Sequence, residues 1–287
     1  MFKSVLNWGY ERFKQSDLSR SPLAIRVARR ARDAIFTAMV WKDGDAGERI
    51  VETDVLDHQL YVDLEDSGVS RTLYLNGVYE PELTRACSSI AEPGMTVVDV
   101  GANIGYFTVL FSDIVGEDGS VYAFEADPRN VALLERNVDA SGCDNVTVTQ
   151  VAVSDTSGTI EFDMSDDQFS RSSIVDPSET KGTIEEVDTV TLDDTVTEPV
   201  DLLKVDVVGA ELRVLRGALS LIEEHQPRIV LPHLPEKWSD GELTVFDDLA
   251  AMGYSRQSLD GELLGWPTET TDDRREPTQN VVLEPPS

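Results

Sequence analysis

Residues 97–109 read Val-Val-Asp-Val-Gly-Ala-Asn-Ile-Gly-Tyr-Phe-Thr-Val, a buried-strand pattern that runs into a glycine-bearing turn and then an apolar helix start. A dinucleotide fold needs G-x-G-x-x-G at this place. Here the turn is Gly101-Ala102-Asn103-Ile104-Gly105-Tyr106, so Asn103 and Tyr106 stand where the second and third glycines belong. The second glycine lets a pyrophosphate approach the backbone and the third allows close helix packing, so a pyrophosphate ligand is disfavoured. The turn instead suits a smaller, phosphate-free nucleoside, with backbone amides at a helix start for a carboxylate. S-adenosylmethionine has that make-up: a carboxylate, a ribose and an adenine.

Outward from the turn, strand and helix patterns alternate. Residues 96–100 are a strand, 104–115 a helix, "SVYAFEA" a strand, and "PRNVALLERNVDAS" a helix. "NVTVTQVAV" follows, with Ala152 and Val153 after the third strand, then "GTIEFDM" as a hairpin arm and a polar loop over 164–186. "VDLLKVDV" is a strand, "GAELRVLRGALSLIEE" one helix, "PRIVLP" a strand and 241–252 a helix, with late strands near 254–259 and 278–284. Such alternation predicts a doubly wound α/β fold with a mostly parallel sheet. A small antiparallel lead-in precedes it from residue 50, and "EPELTRACSSIAEPG" is a short helix and a turn. Asp99 ends the first strand of the alternating region. Glu125, twenty residues after Gly105, ends the next, where an acid accepts both ribose hydroxyls in nucleotide folds.

Composition narrows the partners. The 287 residues carry 54 Asp plus Glu against 24 Lys plus Arg, a formal net charge of −30. That excludes a general nucleic-acid surface, which needs clustered cations. With six lysines and eighteen arginines, the acidic, lysine-poor chain resembles the proteins of salt-loving archaea. Cys87 and Cys143 make no disulfide framework, and no signal peptide or membrane span is legible, so a soluble, cytoplasmic protein is expected. Residues 1–42 differ, with nine basic and three acidic residues. They read as a basic helical extension over 1–45, ahead of a main domain at 46–287. Basic amphipathic helices can lie on a membrane or a partner. At molar salt, however, a Debye length of ~3 Å screens lipid charge, so packing on the main domain is the favoured reading. No metal-binding spacing and no G-x-S-x-G elbow appears.

"VYEPELTRACSSIAEPGMTVVDVGANIGYFTVLFS", "VYAFEADPRNVALLERNV", "VAVSD", "VTLDD" and "DLLKVDVVGAELRVLRGA" occur in the order found in FkbM-type methyltransferases, and the chain resembles that family from about Gly77 to Pro235. These are class I S-adenosylmethionine-dependent enzymes, many of which O-methylate hydroxyls on sugars or natural products. The resemblance implies that Gly101, Ala102, Asn103 and Gly105 form the methionine-moiety turn with Asp99 supporting it. It makes Glu125 the ribose acid, with Ala126, Asp127, Ala152 and Val153 bordering the adenine and Asp206 at the carboxyl edge. Tyr79 and Glu80 match a family motif ahead of the domain, with a plain turn as the other reading. Arg171, Ser172 and Ser173 resemble a segment near the acceptor.

Methyl transfer to a hydroxyl needs an aligned acceptor and a group that receives its proton. Asp206, His233 and Lys204 are the catalytic candidates at strand ends, and Glu211 faces the acceptor in this reading. Two family acids are missing: the usual D-V-E-G reads Asp206-Val207-Val208-Gly209, and Pro232 stands where a glutamate often precedes His233. The expected activity is O-methyl transfer to a small molecule or glycan. The competing expectation is a silent S-adenosylmethionine-binding partner in glycan assembly.

Overall fold

The computed structural model describes residues 49–163, 184–234, 238, 241–267 and 279–286. The helices expected within residues 1–42 lie outside them. The chain divides into two compact units between Tyr79 and Glu80. In the first, β1 (Ile50–Val55) and β2 (His58–Asp63) pair in antiparallel fashion, matching the expected lead-in, and α1 (Val69–Asn76) follows. Asp66 accepts from the amides of Gly68 and Ser70, which explains a helix start with no apolar signature of its own.

The second unit is built on an eight-stranded sheet. Its elements are α2 (Pro81–Ile90), β3 (Thr96–Val100), α3 (Tyr106–Val115), β4 (Ser120–Glu125), α4 (Pro128–Ser141) and β5 (Val146–Gln150). They continue with β6 (Ala152–Val153), β7 (Gly158–Asp163), β8 (Ile184–Val190), α5 (Leu192–Thr195), β9 (Leu202–Val205) and α6 (Glu211–Arg216). The chain closes through α7 (Leu219–His225), β10 (Arg228–His233), α8 (Thr244–Ala251), β11 (Ser255–Ser258), β12 (Leu263–Leu264) and β13 (Gln279–Glu284). The strand order is β12-β11-β13-β10-β9-β3-β4-β5. Pairing is parallel from β10 through β9, β3 and β4 to β5, and antiparallel among β10, β13, β11 and β12. β3 lies at the centre and the chain winds away from it in both directions. That puts a topological switch point, where such sheets bind ligands, between β3 and β9.

The elements form for legible reasons. β3 and β9 are buried and dominated by Val and Leu, as a parallel strand covered on both faces requires. α4 starts with Asp127 as its N-cap, accepting from Arg129 N, and Pro128 in the first turn; it ends at Gly142 in the left-handed region (φ 66°). Val98, Val100, Leu203, Val205, Leu212, Ile229 and Leu231 form the centre of the main core. Among the described residues no helix is long and apolar enough to cross a membrane.

Two elements differ from the sequence expectation. "GAELRVLRGALSLIEE" is two helices, α6 and α7, broken at Gly217. A Cβ at Gly217 would stand 2.1 Å from Ser154 O, so the helix breaks where the chain after β6 crosses it. "NVTVTQVAV" holds two strands, with Ala152 and Val153 after the first as expected. β5 ends at Gln150, opposite Glu125, and β6 leaves to join a separate sheet of order β6-β8-β7. Finally, β8 begins at Ile184, inside the stretch expected as a polar loop.

Candidate active site

The carboxyl ends of β3, β4, β9 and β10 lie side by side in the sheet, and most of the expected residues come with them. The turn after β3 holds three residues of positive φ: Gly101 (79°), Asn103 (52°) and Gly105 (90°). Gly101 is required twice over, because its φ is left-handed and a Cβ there would sit 2.2 Å from Asp206 O. Gly105 is the close-packing glycine that the dinucleotide comparison sought at Tyr106: its Cβ would stand 2.7 Å from Leu134 Cδ1 on α4. Asn103 takes a left-handed conformation that asparagine tolerates better than most residues, and its Oδ1 accepts from Ile104 N at 2.9 Å. The question posed by Asn103 is thereby answered locally.

The turn differs from the expectation in one respect. Its amides are engaged inside the chain: Gly101 N and Ala102 N donate to Phe124 O, Gly105 N to Ala102 O, and Asn103 N to Glu125 Oε2 at 2.8 Å. The turn therefore offers shape and proximity rather than a row of open donors.

Glu125 closes β4 with its second oxygen accepting from Asp127 N at 2.9 Å. Burial pushes its carboxyl up to about 7, against the opposing pull of the Asp127 and Asn103 amides. Asp127 is buried as the N-cap of α4 and also binds the Arg129 guanidinium. Ala126 and Ala152 pack together with Ile160 and Val187 against them, and Val153 is buried next in line on β6. A carboxylate and a small apolar wall thus meet at the end of β4.

On the other side of the switch point, Lys204 and Asp99 are register partners on β9 and β3. Asp99 is buried and accepts from Thr108 Oγ1 at 2.8 Å and from Lys204 Nζ at 3.1 Å. Lys204 Nζ also lies 3.6 Å from Asp206 Oδ2 and 4.7 Å from the centre of the Phe107 ring. Burial alone would lower the pKa of this ammonium, but the charges of Asp99 and Asp206 outweigh burial and raise it above the ordinary lysine value. Asp206 keeps 36% of its side chain exposed, whereas Lys204 keeps 3%.

His233 ends β10 fully buried, with Trp238 packed edge-on at 5.2 Å between ring centres. Glu211 is also fully buried. Its Oε1 accepts from Gly209 N at 3.1 Å and its Oε2 from Trp238 Nε1 at 3.0 Å. Burial pushes the Glu211 carboxyl up to about 7, against those two hydrogen bonds and with help from the Asp206 charge. Glu80 begins the second unit in a left-handed conformation (φ 40°) and accepts from Asn280 Nδ2 at 3.1 Å. Asn280 pairs with Pro232, so Glu80 stands beside the end of β10. Tyr79 is the last residue of the first unit. Arg171, Ser172 and Ser173 lie outside the described residues.

Sequence reasoning did not find Trp238 or Phe107. A tryptophan five residues after the end of a strand carries no periodic signal, and Phe107 reads as core until Lys204 is known to lie over its ring.

Residues 99–255 match the family model described as the Methyltransferase FkbM domain. A protein-L-isoaspartate O-methyltransferase of Methanococcoides burtonii is 38% identical over 55 residues, which is 19% of this chain and 27% of that protein. Protein-L-isoaspartate O-methyltransferase 1 of Arabidopsis thaliana is 37% identical over 65 residues, 21% of this chain and 28% of that protein. The chain thus spans under a third of the length of these curated relatives. The crystal structure of an FkbM methyltransferase from Methylobacillus flagellatus is 19% identical, with a TM-score of 0.44, over 76% of this chain and 55% of that one. The match from Asp99 at the end of β3 to Ser255 at the start of β11 takes in every strand end described above, and the chain belongs to the FkbM family of S-adenosylmethionine-dependent methyltransferases.

Proposed function

We propose that this protein transfers a methyl group from S-adenosylmethionine to a hydroxyl of a small molecule or glycan. One observation carries the reading: the buried Glu125 carboxylate is hydrogen-bonded to the Asn103 amide of the glycine turn. A diol-binding acid and the turn are thereby locked together beside the switch point.

The residues fit the cofactor. A carboxylate offers about four acceptor sites; on Glu125 two are used by backbone amides and the Asn130 side chain also hydrogen-bonds it, leaving room for a ribose hydroxyl. The Ala126–Ala152 wall suits an adenine face. When bound, S-adenosylmethionine supplies an electrophilic methyl on a sulfonium sulfur.

The chain's own part is to present a hydroxyl oxygen and receive its proton. Asp206 is the proton acceptor in this reading, because it sits at the carboxyl edge and is the exposed member of the Asp99–Lys204–Asp206 chain. Asp206 would receive the hydroxyl proton as the oxygen gains the methyl group and the methyl–sulfur bond parts, the sulfonium leaving as a neutral thioether. Lys204 holds that carboxylate in place and contributes by position. His233, buried one strand over, shapes the acceptor side with Trp238. Arg171, Ser172 and Ser173 are acceptor contacts by the resemblance alone. The acidic composition and the buried, free Cys87 and Cys143 support a reducing cytoplasm rich in salt.

A second reading, a silent cofactor-binding partner in glycan assembly, is favoured by Val208 and Pro232, which replace two acids expected near the acceptor. Transfer of a trideuteromethyl group from labelled S-adenosylmethionine, followed by mass spectrometry over a panel of hydroxylated sugars and small alcohols, separates the two. The expected result is a labelled ether. Cofactor binding by calorimetry with no labelled product across the panel would replace the enzyme with the silent binder.

A further inference from the structure

Glu211 is the buried acid that the mechanism above leaves without a task. It begins α6, five residues after Asp206, and is fully enclosed. A carboxylate in that position is costly unless its oxygens are satisfied. Both are, and by groups from two different strand ends. Gly209 N belongs to the turn after β9, which also carries Asp206, and Trp238 belongs to the segment after β10. The Trp238 ring packs edge-on against His233 (5.2 Å) and at a tilt against Phe246 of α8 (5.6 Å). Phe246 in turn stacks on Trp266 at 5.5 Å. Four rings therefore run from the end of β10 across α8 to the chain after β12, and the ring next to His233 is tied by its indole N–H to the turn that bears Asp206.

We propose that Glu211 is a positioning residue: its carboxylate ties Trp238 to the Gly209 turn and so fixes His233 relative to Asp206 on the acceptor side. A neutral amide cannot replace it fully. Both partners are N–H donors, so glutamine can satisfy one with its oxygen and must turn its NH₂ towards the other. A carboxylate is the side chain that accepts from both. The charged group facing Glu211 in the structure is Asp206, from the turn after β9. Its role in acceptor kinetics rests on the transferase reading above; its role in placing the rings does not.

The test uses the full chain and two conservative variants, Glu211→Gln and Trp238→Phe, the second keeping a ring but removing the N–H. Four tryptophans and three histidines give few enough signals to assign Trp238 Nε1–H and the His233 ring protons by NMR with single-site variants. The expected result is a Trp238 indole proton that exchanges slowly in the parent and loses that protection in Glu211→Gln, with the His233 ring protons shifting in both variants. With an acceptor found by the labelling screen, each variant raises the acceptor KM or lowers kcat about tenfold, leaves S-adenosylmethionine affinity unchanged, and the double variant is no worse than either single one. Unmoved His233 signals in a folded Glu211→Gln protein overturn the proposal. So do multiplicative kinetic losses in the double variant, or cofactor affinity that falls with acceptor turnover. If no acceptor is found at all, the transferase reading fails while the His233 signals still decide whether Glu211 places the rings.

Discussion

Asp99 and Lys204 face each other across the switch point, partners in register on β3 and β9, with Lys204 Nζ 3.1 Å from the Asp99 carboxylate. The pair is buried, and such a pair is poor evidence of net stabilisation, because desolvation offsets most of the attraction. Removing one member is different. Lys204→Met leaves Asp99 buried and uncompensated, and the expected loss is about 3–5 kcal/mol of unfolding free energy. Asp99→Asn with Lys204→Met together should recover much of that loss. Denaturant titration of the two single variants and the double variant checks this; additive losses would show that the pair does not act as a unit.

Cofactor affinity should depend on pH through Glu125. Its carboxyl is pushed up to about 7 in the ligand-free protein, and the ribose hydroxyls need the ionised form as acceptor. Protons and cofactor therefore compete, and affinity should fall by up to about tenfold per pH unit below 7 and level off above it. Glu125→Gln should bind more weakly with that pH dependence removed. Calorimetry of both proteins between pH 5.5 and 8 tests it, and parallel profiles for parent and variant would reject Glu125 as the ribose acid.

Stability carries the opposite sign for the same kind of group. The Glu211 pKa is raised from 4.5 to about 7 in the fold, so between those values the folded state holds more protons than the unfolded one. Its contribution is fully present below pH 4.5 and is lost as pH rises through 7, by roughly 3 kcal/mol in all. Unfolding free energy of the parent should thus decline relative to Glu211→Gln across that window. A difference between the two proteins that does not change from pH 4.5 to 7.5 would contradict the shift.

Catalysis should separate from cofactor binding at Asp206. Asp206→Asn should cut turnover by about 10²-fold or more, the scale of general-base effects, with little change in cofactor affinity. Steady-state rates on any acceptor from the labelling screen provide the measurement. An unchanged rate would move the proton to another group.

Salt should stabilise the fold. At a formal net charge of −30, self-repulsion opposes compaction, and screening shortens from ~10 Å at 0.1 M to ~3 Å at 1 M. The melting temperature should climb through that range of KCl. A flat thermal profile would remove the case for a salt-rich home.

The strands and the ligand turn were legible because their causes are local. β3, β4, β9 and β10 announce themselves as short Val- and Leu-rich runs, and Asp127-Pro128 marks the start of α4 within two residues. What escaped were features set by distant chain. Gly217 breaks a helix because Ser154, 63 residues earlier, crosses it, and no pattern within "LRGAL" encodes that crossing. Asn103 was legible as a departure from a fingerprint, while its left-handed backbone and its bond to Ile104 belong to the fold. Lys204 read as an acid–base candidate at a strand end; its engagement with Asp99, Asp206 and the Phe107 ring depends on the β3–β9 register.

The parting of β5 and β6 bears on how such a site can change. Glu125 ends a strand of the large sheet, whereas Ala152, packed on its neighbour Ala126, belongs to the small one. The two sides of that apolar wall hang from separate sheets, joined through Val151, whose amide donates to Glu125 O. Substitutions along β7 or β8 would reach that wall through Ile160 and Val187 and leave the β4–β5 ladder unaltered. If that wall takes the adenine as proposed, its fit would be adjustable from a part of the molecule that has no share in the chemistry.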